Sequence, residues 1–598
     1  MKSIKLLLNV FILLMIVSFT GVNAKDVVIN IDGDGNVTNT ITGVNPSDPG
    51  DTAYMQSKYT YDVDAGLLTL TGNDNYYINF TSGGAVTQSS TASPVIKKIT
   101  SGSGCYFVMD TLDNANIDVP YATFNSTTVK NTTINGNSIT FNNTSLLDNV
   151  NITAINQVMT NRPVKYNKAT INSERLNSTY LDIVDSEMNV TYFNINSTIS
   201  GTSTGSIINS KLTSTGTGST NITTVDVINS TITGSGLRLA PNGSIDNSNI
   251  DIWYMYGPYE NSTTGRTIKD STVKTSTNMF GTYDMIENST LDYNCDGLGS
   301  VKVRNIKNSE VKGAALTLIG GNITDSTVTM VSGRSFEPRV NVTGAVTFNN
   351  STFKPERVDS SYDMTFNDSL VDAERYSNSA KTTLNNTKML IGGRDNNYYR
   401  PFYSSSVEFN DSYVLINNTN PTGDFTIQTG TNLANIAAYD QNGNRLYPRD
   451  ISSPYSTAYT YVDVDGTNQY SKYVLIAKPV QVTFKIKNGT WSDGTKDDKI
   501  LNTYYLATIK DSDIPTGMIA NTGYSNGSWN NNISLDILDD NYEYTYSFSN
   551  TPVNNNTDSN TTNETNPKTG ESTLMYAIVL LGSTCGIIGV REYKRRLG

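Results

Sequence analysis

The sequence predicts an all-β protein: a right-handed parallel β-helix (a solenoid), then a small β-rich domain and a C-terminal membrane span. A four-residue pattern recurs: Asn or Asp, then Ser or Thr, then any residue, then an apolar one. Its steps range from 17 residues (Asn308 to Asp325) to 25 (Asn386 to Asp411), a length typical of solenoids. Alternating β-branched runs, such as residues 224–228, favour strands between the copies. We expect the first residues of the copies to form a corner ladder: Asn229, Asn247, Asp270, Asn288, Asn308, Asp325, Asn350, Asp368, Asn386 and Asp411.

Asn and Asp suit a corner between two strands because they tolerate the left-handed backbone conformation. The apolar residue three places later should then point inward, and right-handed winding is the general preference of parallel crossovers. The alternative is low-complexity Asn/Ser/Thr sequence without a fold, against which the constant apolar position argues. The predicted inward residues are Ile232, Ile250, Val273, Leu291, Val311 and Val328. Looser, earlier copies begin at Asn143, Asn177, Asn196 and Asn209.

Composition narrows the classes of function. The 598-residue chain has a formal net charge of −12 and no histidine. The charge argues against nucleic acid and anionic membrane surfaces as partners. Without histidine the commonest general base and metal ligand are missing, so we expect no metal site and no cofactor. Three cysteines, Cys105, Cys295 and Cys585, form no disulfide framework, and we expect Cys105 and Cys295 to be free and buried.

Residues 1–24 have the features of a secretory signal. Lys2 and Lys5 supply positive charge, residues 6–19 an apolar core, and Val22-Asn23-Ala24 a small-residue cleavage site. The mature chain would then begin near Lys25. The alternative is a retained N-terminal anchor.

Residues 25–100 are predicted to be an N-terminal cap with the first coils, since a solenoid must cover its open end. Within this segment, residues 32–36 (Asp-Gly-Asp-Gly-Asn) resemble the start of a calcium loop. The distal Glu of such a loop would fall near position 43, where Gly43 stands. A polar β-turn is therefore the favoured interpretation.

The repeats should extend over residues 101–420, and residues 421–472 should close the solenoid. This closing segment and the residue after it are rich in tyrosine. Tyrosine is an ordinary strand residue, although scattered rings on a polar β-surface could also stack on carbohydrate. The tyrosines concerned are Tyr455, Tyr459, Tyr461, Tyr470 and Tyr473.

Residues 473–550 are predicted to form a small β-rich domain. Residues 480–487 alternate strictly and end at Asn488-Gly489, a turn signal, and Trp491 and Trp529 should anchor the core. The stretch 482–494, with Ile514-Pro-Thr-Gly and Asn526-Gly-Ser-Trp, resembles a small module of surface proteins from Gram-positive gut bacteria. The resemblance implies a spacer placed just before a wall-anchoring signal.

Residues 551–565 are Asn, Thr and Ser with almost no apolar residue, which predicts a disordered tether. Residues 566–598 contain a motif, an apolar span at 574–590 and a basic tail. This order resembles a sortase cell-wall sorting signal, with Asn566 where the commonest version has Leu. The resemblance implies cleavage between Thr569 and Gly570, with sortase as processing partner and an amide from Thr569 to peptidoglycan. The alternative is a plain transmembrane anchor. The motif residues are Asn566, Pro567, Lys568, Thr569 and Gly570.

These features together indicate an exported, cell-wall-anchored surface protein, adhesin-like and not an enzyme, which presents its β-helix to glycans or matrix of a host or neighbouring cell. Two alternatives stay open. One is a passive wall spacer. The other is a cell-surface polysaccharide lyase or glycoside hydrolase, since right-handed β-helices host pectate lyases and polygalacturonases. Candidate acidic and basic groups for such chemistry are Asp363, Asp368, Asp372, Arg375 and Arg394-Asp395.

Overall fold

The computed structural model divides the chain into two compact units, residues 1–301 and 302–598, which are described separately. The predicted signal (1–24), the tether (551–565) and the sorting signal (566–598) lie outside the described residues, as do Cys295, Cys585, Arg394, Asp395, Tyr455 and Tyr459. The described residues are 25–41, 57–92, 94–199, 202–216, 221–256, 266–294, 301–331, 338–393, 401–418, 427–429, 436–440, 442, 445–446, 461–464, 467–470, 472–505, 507, 509–533 and 538–550.

The first unit consists of strands. Those of its N-terminal part are β1 Asp26–Ile31, β2 Val37–Ile41, β3 Tyr59–Asp62, β4 Leu67–Leu70, β5 Asn75–Phe80, β6 Gly84–Gln88, β7 Val95–Ser101 and β8 Gly104–Val108. Its repeats contain β9 Thr111–Asp113, β10 Asn116–Asp118, β11 Tyr121–Phe124, β12 Thr128–Lys130, β13 Thr133–Phe141, β14 Leu146–Asp148, β15 Asn151–Thr160, β16 Val164–Asn167, β17 Thr170–Val184, β18 Glu187–Asn196, β19 Thr198–Ile199, β20 Thr202–Ser203, β21 Ser206–Ile208, β22 Lys211–Ser214, β23 Asn221–Thr224, β24 Val227–Ile228, β25 Thr231–Thr233, β26 Gly236–Leu239, β27 Ser244–Asp246, β28 Asn249–Ile252, β29 Tyr254–Tyr256, β30 Thr267–Lys269, β31 Thr272–Glu287 and β32 Thr290–Asn294.

The repeat that starts at Asn229 shows how these strands are arranged. β24 precedes the corner residue Asn229, β25 and β26 follow it, and β27 leads to the next corner at Asn247. β24 pairs in parallel with β27, β25 with β28, and β26 with β29. Each strand of one repeat therefore lies beside the equivalent strand of the next. The protein is all-β with extensive parallel pairing, an arrangement compatible with a β-helix or solenoid.

Apolar side chains fill the space behind the corner. The residues three places after the corners follow one register column: Leu212 lies opposite Ile232, then Ile250, Val273 and Leu291. All five are 0% exposed, as are Val311 and Val328 in the second unit. This confirms the predicted inward direction. Cys105 is a free, buried thiol whose pKa is raised to about 12 by burial, so it is unreactive at neutral pH.

The N-terminal end is covered by a hairpin. β1 pairs in parallel with β5 on one side and antiparallel with β2 on the other. The turn between β1 and β2 is formed by Asp32, whose carboxylate accepts from the backbone N–H of Asp34 (3.0 Å) and of Asn36 (2.8 Å). A third bond, from Asn36 Nδ2, lowers the pKa of Asp32. Among the described residues no cluster of three or more acidic or cysteine side chains could hold a metal ion, and this segment is a polar turn.

The second unit continues in the same way and adds a small domain. Its repeat strands are β33 Val301–Lys307, β34 Glu310–Gly313, β35 Ala315–Thr324, β36 Thr327–Met330, β37 Arg339–Asn349, β38 Thr352–Lys354, β39 Arg357–Ser360, β40 Met364–Asn367, β41 Leu370–Ala373, β42 Arg375–Asn385, β43 Lys388–Gly393, β44 Phe402–Asn410 and β45 Tyr413–Asn418. The later elements are β46 Ile427–Thr429, β47 Ile436–Tyr439, β48 Arg445–Leu446, β49 Tyr461–Val464, β50 Thr467–Tyr470, β51 Tyr473–Ala477, β52 Pro479–Lys487, β53 Gly489–Thr490, β54 Lys499–Tyr504, a 3₁₀ helix at Asp511–Asp513, β55 Ile519–Ala520, β56 Tyr524–Trp529 and β57 Tyr542–Asn550.

Strand β45, which follows the last ladder corner, is covered by an antiparallel partner. β51 pairs with β45 from Tyr413↔Ala477 to Asn417↔Tyr473, and after Lys478 the chain enters β52. The small domain is a four-stranded sheet in the order β54-β52-β57-β56. Its core contains the fully buried Trp491, with the partly buried Trp529 packed against it, and includes Tyr413 of β45. The domain and the final repeat therefore share one hydrophobic cluster.

Candidate functional site

The structure places all ten predicted ladder residues at one kind of corner. Each connects a strand before it to a strand after it, and each adopts a left-handed backbone with φ between 45° and 50°. This conformation is strained for most side chains and mild for Asn and Asp. The residues are Asn229, Asn247, Asp270, Asn288, Asn308, Asp325, Asn350, Asp368, Asn386 and Asp411.

Their side chains bond from repeat to repeat. Asn229 Nδ2 donates to Asn209 Oδ1 at 2.7 Å, and Asn247 Nδ2 donates to Asn229 Oδ1 at 3.0 Å. A corner Asp only accepts, as Asp270 does from Asn288 Nδ2 at 2.9 Å. These bonds link successive repeats, so the ladder has a structural role.

A second ladder, which the sequence analysis did not identify, runs beside the first through the residue after each corner. The Ser230 hydroxyl donates to Ile228 O at 2.7 Å and accepts from the Ser210 N–H at 3.0 Å. The Ser248 hydroxyl accepts from the Ser230 N–H at 3.0 Å in the same way. The recurring Ser or Thr at the second position of the pattern was its sequence signal. These hydroxyls satisfy backbone N–H groups that would otherwise be buried without a partner.

Three of the four looser copies were assigned wrongly. Asn209 is a corner with φ 50°, but Asn143, Asn177 and Asn196 are not. Asn177 lies within β17 and Asn196 ends β18. The corners in this part of the chain are Asn114, Asn131, Asn149, Lys168 and Asp185. Asn114, Asn149 and Lys168 are followed by Ala or Val, which the Ser/Thr position of the pattern excluded. Asn131 and Asp185 fit the pattern and were overlooked.

The acidic residues considered for glycan cleavage lie at different places in one repeat. Asp363 precedes β40 and accepts from the Lys381 N–H at 3.2 Å. Asp368 is a corner residue and accepts from Asn386 Nδ2 at 2.7 Å. Asp372 faces outward from β41, beyond the corner. Hydrogen bonds within the fold thus already occupy two of the three carboxylates, and Arg375 begins the next strand, β42.

In the first unit, the outer face of strands β18, β23, β26, β29 and β31 carries exposed polar side chains and partly buried aromatic ones. Register places Asn194 beside Asn221, then Gly236 and Tyr254. The adjacent column holds Asn196, Thr223, Arg238, Tyr256 and Phe280. Between the columns lie Ile195, Ile222, Leu237, Met255 and Met279, all at most 2% exposed. We call the outward side chains of these two columns the 194–280 face.

Tyr254 lies flat on this face because Gly236 leaves room for it. A Cβ atom at Gly236 would stand 2.2 Å from Tyr254 Cζ, and the Tyr254 hydroxyl donates to Asn221 Oδ1 one strand further on. The ring therefore covers the sheet at Gly236; it is partly buried and also contacts the Tyr256 ring, with centroids 4.8 Å apart. Covering of strand glycines by aromatic rings is also a packing device, and Tyr546 covers Gly527 in the small domain. The Tyr254 position differs from a simple packing contact of this kind because exposed polar groups lie around it.

Those polar groups surround a shallow depression of about 180 Å³. It is smaller than pockets for drug-sized ligands, which hold roughly 300–1,000 Å³, and its scale suits one unit of a longer ligand. Arg238 is exposed, and Tyr256 stacks on Phe280 with ring centroids 5.3 Å apart. Burial raises the pKa of Tyr254, so its hydroxyl stays protonated at neutral pH. The lining residues are Asn194, Ile195, Asn196, Asn221, Thr223 and Arg238.

The tyrosines that the sequence offered as candidates for stacking on carbohydrate lie outside this face. Tyr461 and Tyr470 are register partners in the β49–β50 hairpin, and Tyr473 lies in β51. The 194–280 face was missed because its columns come from strands separated by connections of varying length. The run Trp253-Tyr-Met-Tyr256 was the available signal.

No family model matches the chain, no curated protein matches it, and no solved structure matches it. Within the described ranges no helix is long and apolar enough to cross a bilayer; the expected span at 574–590 and the motif from Asn566 to Gly570 lie outside them. The site is therefore interpreted from its own geometry.

Proposed function

We propose that the chain is an exported, cell-wall-anchored, adhesin-like surface protein that binds extracellular glycan through the 194–280 face. Support for export and anchoring comes from the leader-like residues 1–24 and from the resemblance of residues 566–598 to a sortase signal. In this proposal sortase joins Thr569 to peptidoglycan. The repeats wind as a right-handed parallel β-helix, supported by the parallel pairing of successive repeats and by the general handedness of such crossovers.

The single observation that carries the glycan proposal is the partly exposed ring of Tyr254, which covers Gly236 beside amide and guanidinium groups. The apolar face of a sugar ring packs against an aromatic face, while its hydroxyls need donors and acceptors at the edge. Such groups lie on the strands that precede β29: Arg238 on β26, Asn221 on β23, and Asn194 and Asn196 on β18. A glycan that extends from the depression across Gly236 would therefore reach both the polar groups and the Tyr254 ring.

A glycan-binding screen on residues 25–550 tests this proposal. For a glycan that binds, Tyr254→Ala should weaken affinity tenfold or more, equivalent to about 1.4 kcal/mol, because the stacking surface is removed. Tyr254→Phe keeps the ring and should retain most of the affinity.

Tyr121→Ala is the matched control, since Tyr121 is 53% exposed on β11 and lies outside the 194–280 face. If no glycan binds, the glycan-binding function is refuted. If a glycan binds equally to the parent and to Tyr254→Ala, the site lies elsewhere. Polysaccharide degradation, followed in parallel, would instead support the enzymatic alternative.

A further inference from the structure

The first residues of the structure are fixed to the start of β5. The Lys25 backbone nitrogen lies 3.2 Å from Asp74 Oδ1, and the Asn75 N–H donates to Lys25 O at 3.0 Å. Asn75 Nδ2 donates to Asp26 Oδ1, also at 3.0 Å. Two bonds thus position Lys25, and a third holds Asp26, the first residue of β1.

Asp74 is a buried carboxylate, 4% exposed, and its two oxygens face different partners. Oδ2 lies 2.9 Å from Lys58 Nζ, with which it forms an ion pair, and Oδ1 faces the Lys25 nitrogen. A carboxylate removed from water is stable only when charge and hydrogen bonds compensate it. The charge of the nitrogen beside Oδ1 therefore decides how well the buried carboxylate is compensated. A peptide N–H carries no net charge, whereas an α-ammonium carries a full positive charge.

We propose that Asp74 is the binding site for the α-ammonium of the mature chain, created by cleavage between Ala24 and Lys25. The proposal goes beyond glycan binding and rests only on export. A leader-removing peptidase adds water across the Ala24–Lys25 bond: the hydroxyl goes to the Ala24 carbonyl carbon and the proton to the Lys25 nitrogen. That nitrogen takes a second proton from solvent and becomes an ammonium facing Asp74 Oδ1.

Cleavage thereby strengthens the fold at the point where the chain starts. β1 is the strand on which β2 and β5 both align, so fixing its first residue fixes the register of the N-terminal cap. A leader cut one residue earlier or later would place the ammonium away from Oδ1. Processing and closure of the cap are coupled in this way.

Hydrogen exchange on residues 25–550 tests the proposal. Two forms are compared, one starting with a free Lys25 amine and one keeping Ala24 in front of it. The amides of β1 and β2 should exchange about tenfold faster in the extended form. In the Asp74→Asn background, which keeps the shape of the side chain and removes its charge, the two forms should exchange equally. An equal effect of Ala24 in both backgrounds would show a steric cause and overturn the proposal, as would no effect at all.

A second measurement tests the proposal even if the Asp74→Asn variant does not fold. Carbodiimide coupling of the native mature form should join the Lys25 α-amine to Asp74, with loss of one water, as identified by fragment mass spectrometry. Coupling of Asp74 only to Lys58, or an exported protein whose first residue is not Lys25, would contradict the proposal. Neither hydrogen exchange nor carbodiimide coupling depends on glycan binding, so the test of this proposal is independent of the test of the glycan-binding function.

Discussion

Each corner aspartate that the structure describes is matched to a donor in the segment that follows. Asp185, Asp270, Asp325 and Asp368 accept from the next corner asparagine, at distances between 2.7 and 3.0 Å. Asp411, the last corner, accepts from Lys478 Nζ at 2.8 Å. Asn and Asp are therefore not interchangeable at a corner, because two adjacent carboxylates would repel each other and neither could donate.

This rule predicts different outcomes for two similar substitutions. Asn288→Asp places a carboxylate beside Asp270 and removes its donor, and should lower the free energy of unfolding by about 0.5–1.5 kcal/mol at pH 7. Asn229→Asp loses the bond to Asn209 Oδ1 but keeps the acceptor for Asn247 and adds no charge repulsion, because both neighbouring corners are Asn, so it should cost less. Urea unfolding measures both variants. The difference should shrink as acid protonates the new carboxylate, and equal costs at pH 7 would refute the rule.

The serine ladder makes a separate prediction. Ser248→Ala removes the hydroxyl that accepts the Ser230 N–H and leaves that buried group unsatisfied, so unfolding should become easier by about 1–3 kcal/mol. Ser248→Thr is the control, since Thr387 occupies the equivalent position and accepts from Ser369 N at 3.3 Å. Chemical denaturation provides the measurement. A Ser248→Ala variant as stable as the parent would show that the hydroxyl contributes nothing.

Residue-level prediction succeeded where one physical requirement fixes a residue type. A left-handed corner followed three places later by a buried apolar side chain leaves a repeating signal, and the corners from Asn229 onward could be found from it. The corner at Lys168 could not, because neither Lys168 nor Ala169 fits the pattern. The hydroxyl ladder was visible as a preference for Ser, but its bonds cross between repeats and no local sequence rule reveals them.

At the scale of elements, the register of the repeats is the feature that substitutions can test most directly. Leu291 is 0% exposed and lies opposite Val273, while its neighbour Asp292 faces outward. Leu291→Asp should cost about 3–5 kcal/mol, as expected for an unpaired buried charge. Asp292→Asn should be close to neutral. If the Leu291→Asp variant melts like the parent, the register is wrong.

The closing elements behave differently from the repeats. β51 pairs antiparallel with β45, and a single residue, Lys478, connects β51 to β52 of the small domain. This pairing was not predictable, because β45 and β51 are far apart in sequence and antiparallel closure leaves no periodic signal. The sequence indicated the turn at Asn488 and the tryptophan core correctly, because both depend on short stretches.

The shared core predicts long-range coupling in the second unit. Trp491→Ala should destabilise the small domain by about 3–5 kcal/mol. Because Tyr413 belongs to the same cluster, the amides of β45 should also lose hydrogen-exchange protection. Trp529 is only partly buried and provides the matched control. Trp529→Phe should leave the hydrogen-exchange protection of β45 unchanged. Unchanged exchange in β45 with Trp491→Ala would mean that the domain is an independent spacer.

At the scale of the whole molecule, the sequence places the repeats between a proposed leader and a proposed wall anchor. The parallel pairing and all-β class could be predicted because they repeat many times along the chain. The 194–280 face could not, since it depends on which outward positions of separate repeats come into register. Export and anchoring remain proposals that rest on residues 1–24 and 566–598.

The central claim is that this protein is attached to the cell wall, and one measurement addresses it directly. Wall fragments of the native host are digested and analysed by mass spectrometry. The account predicts a peptide that ends at Thr569 and carries a peptidoglycan fragment on its carboxyl group, and predicts that Thr569→Ala abolishes this species without changing the fold of residues 25–550. Recovery of the C-terminus intact through Gly598 in the membrane fraction, with no peptide linked at Thr569, would contradict it.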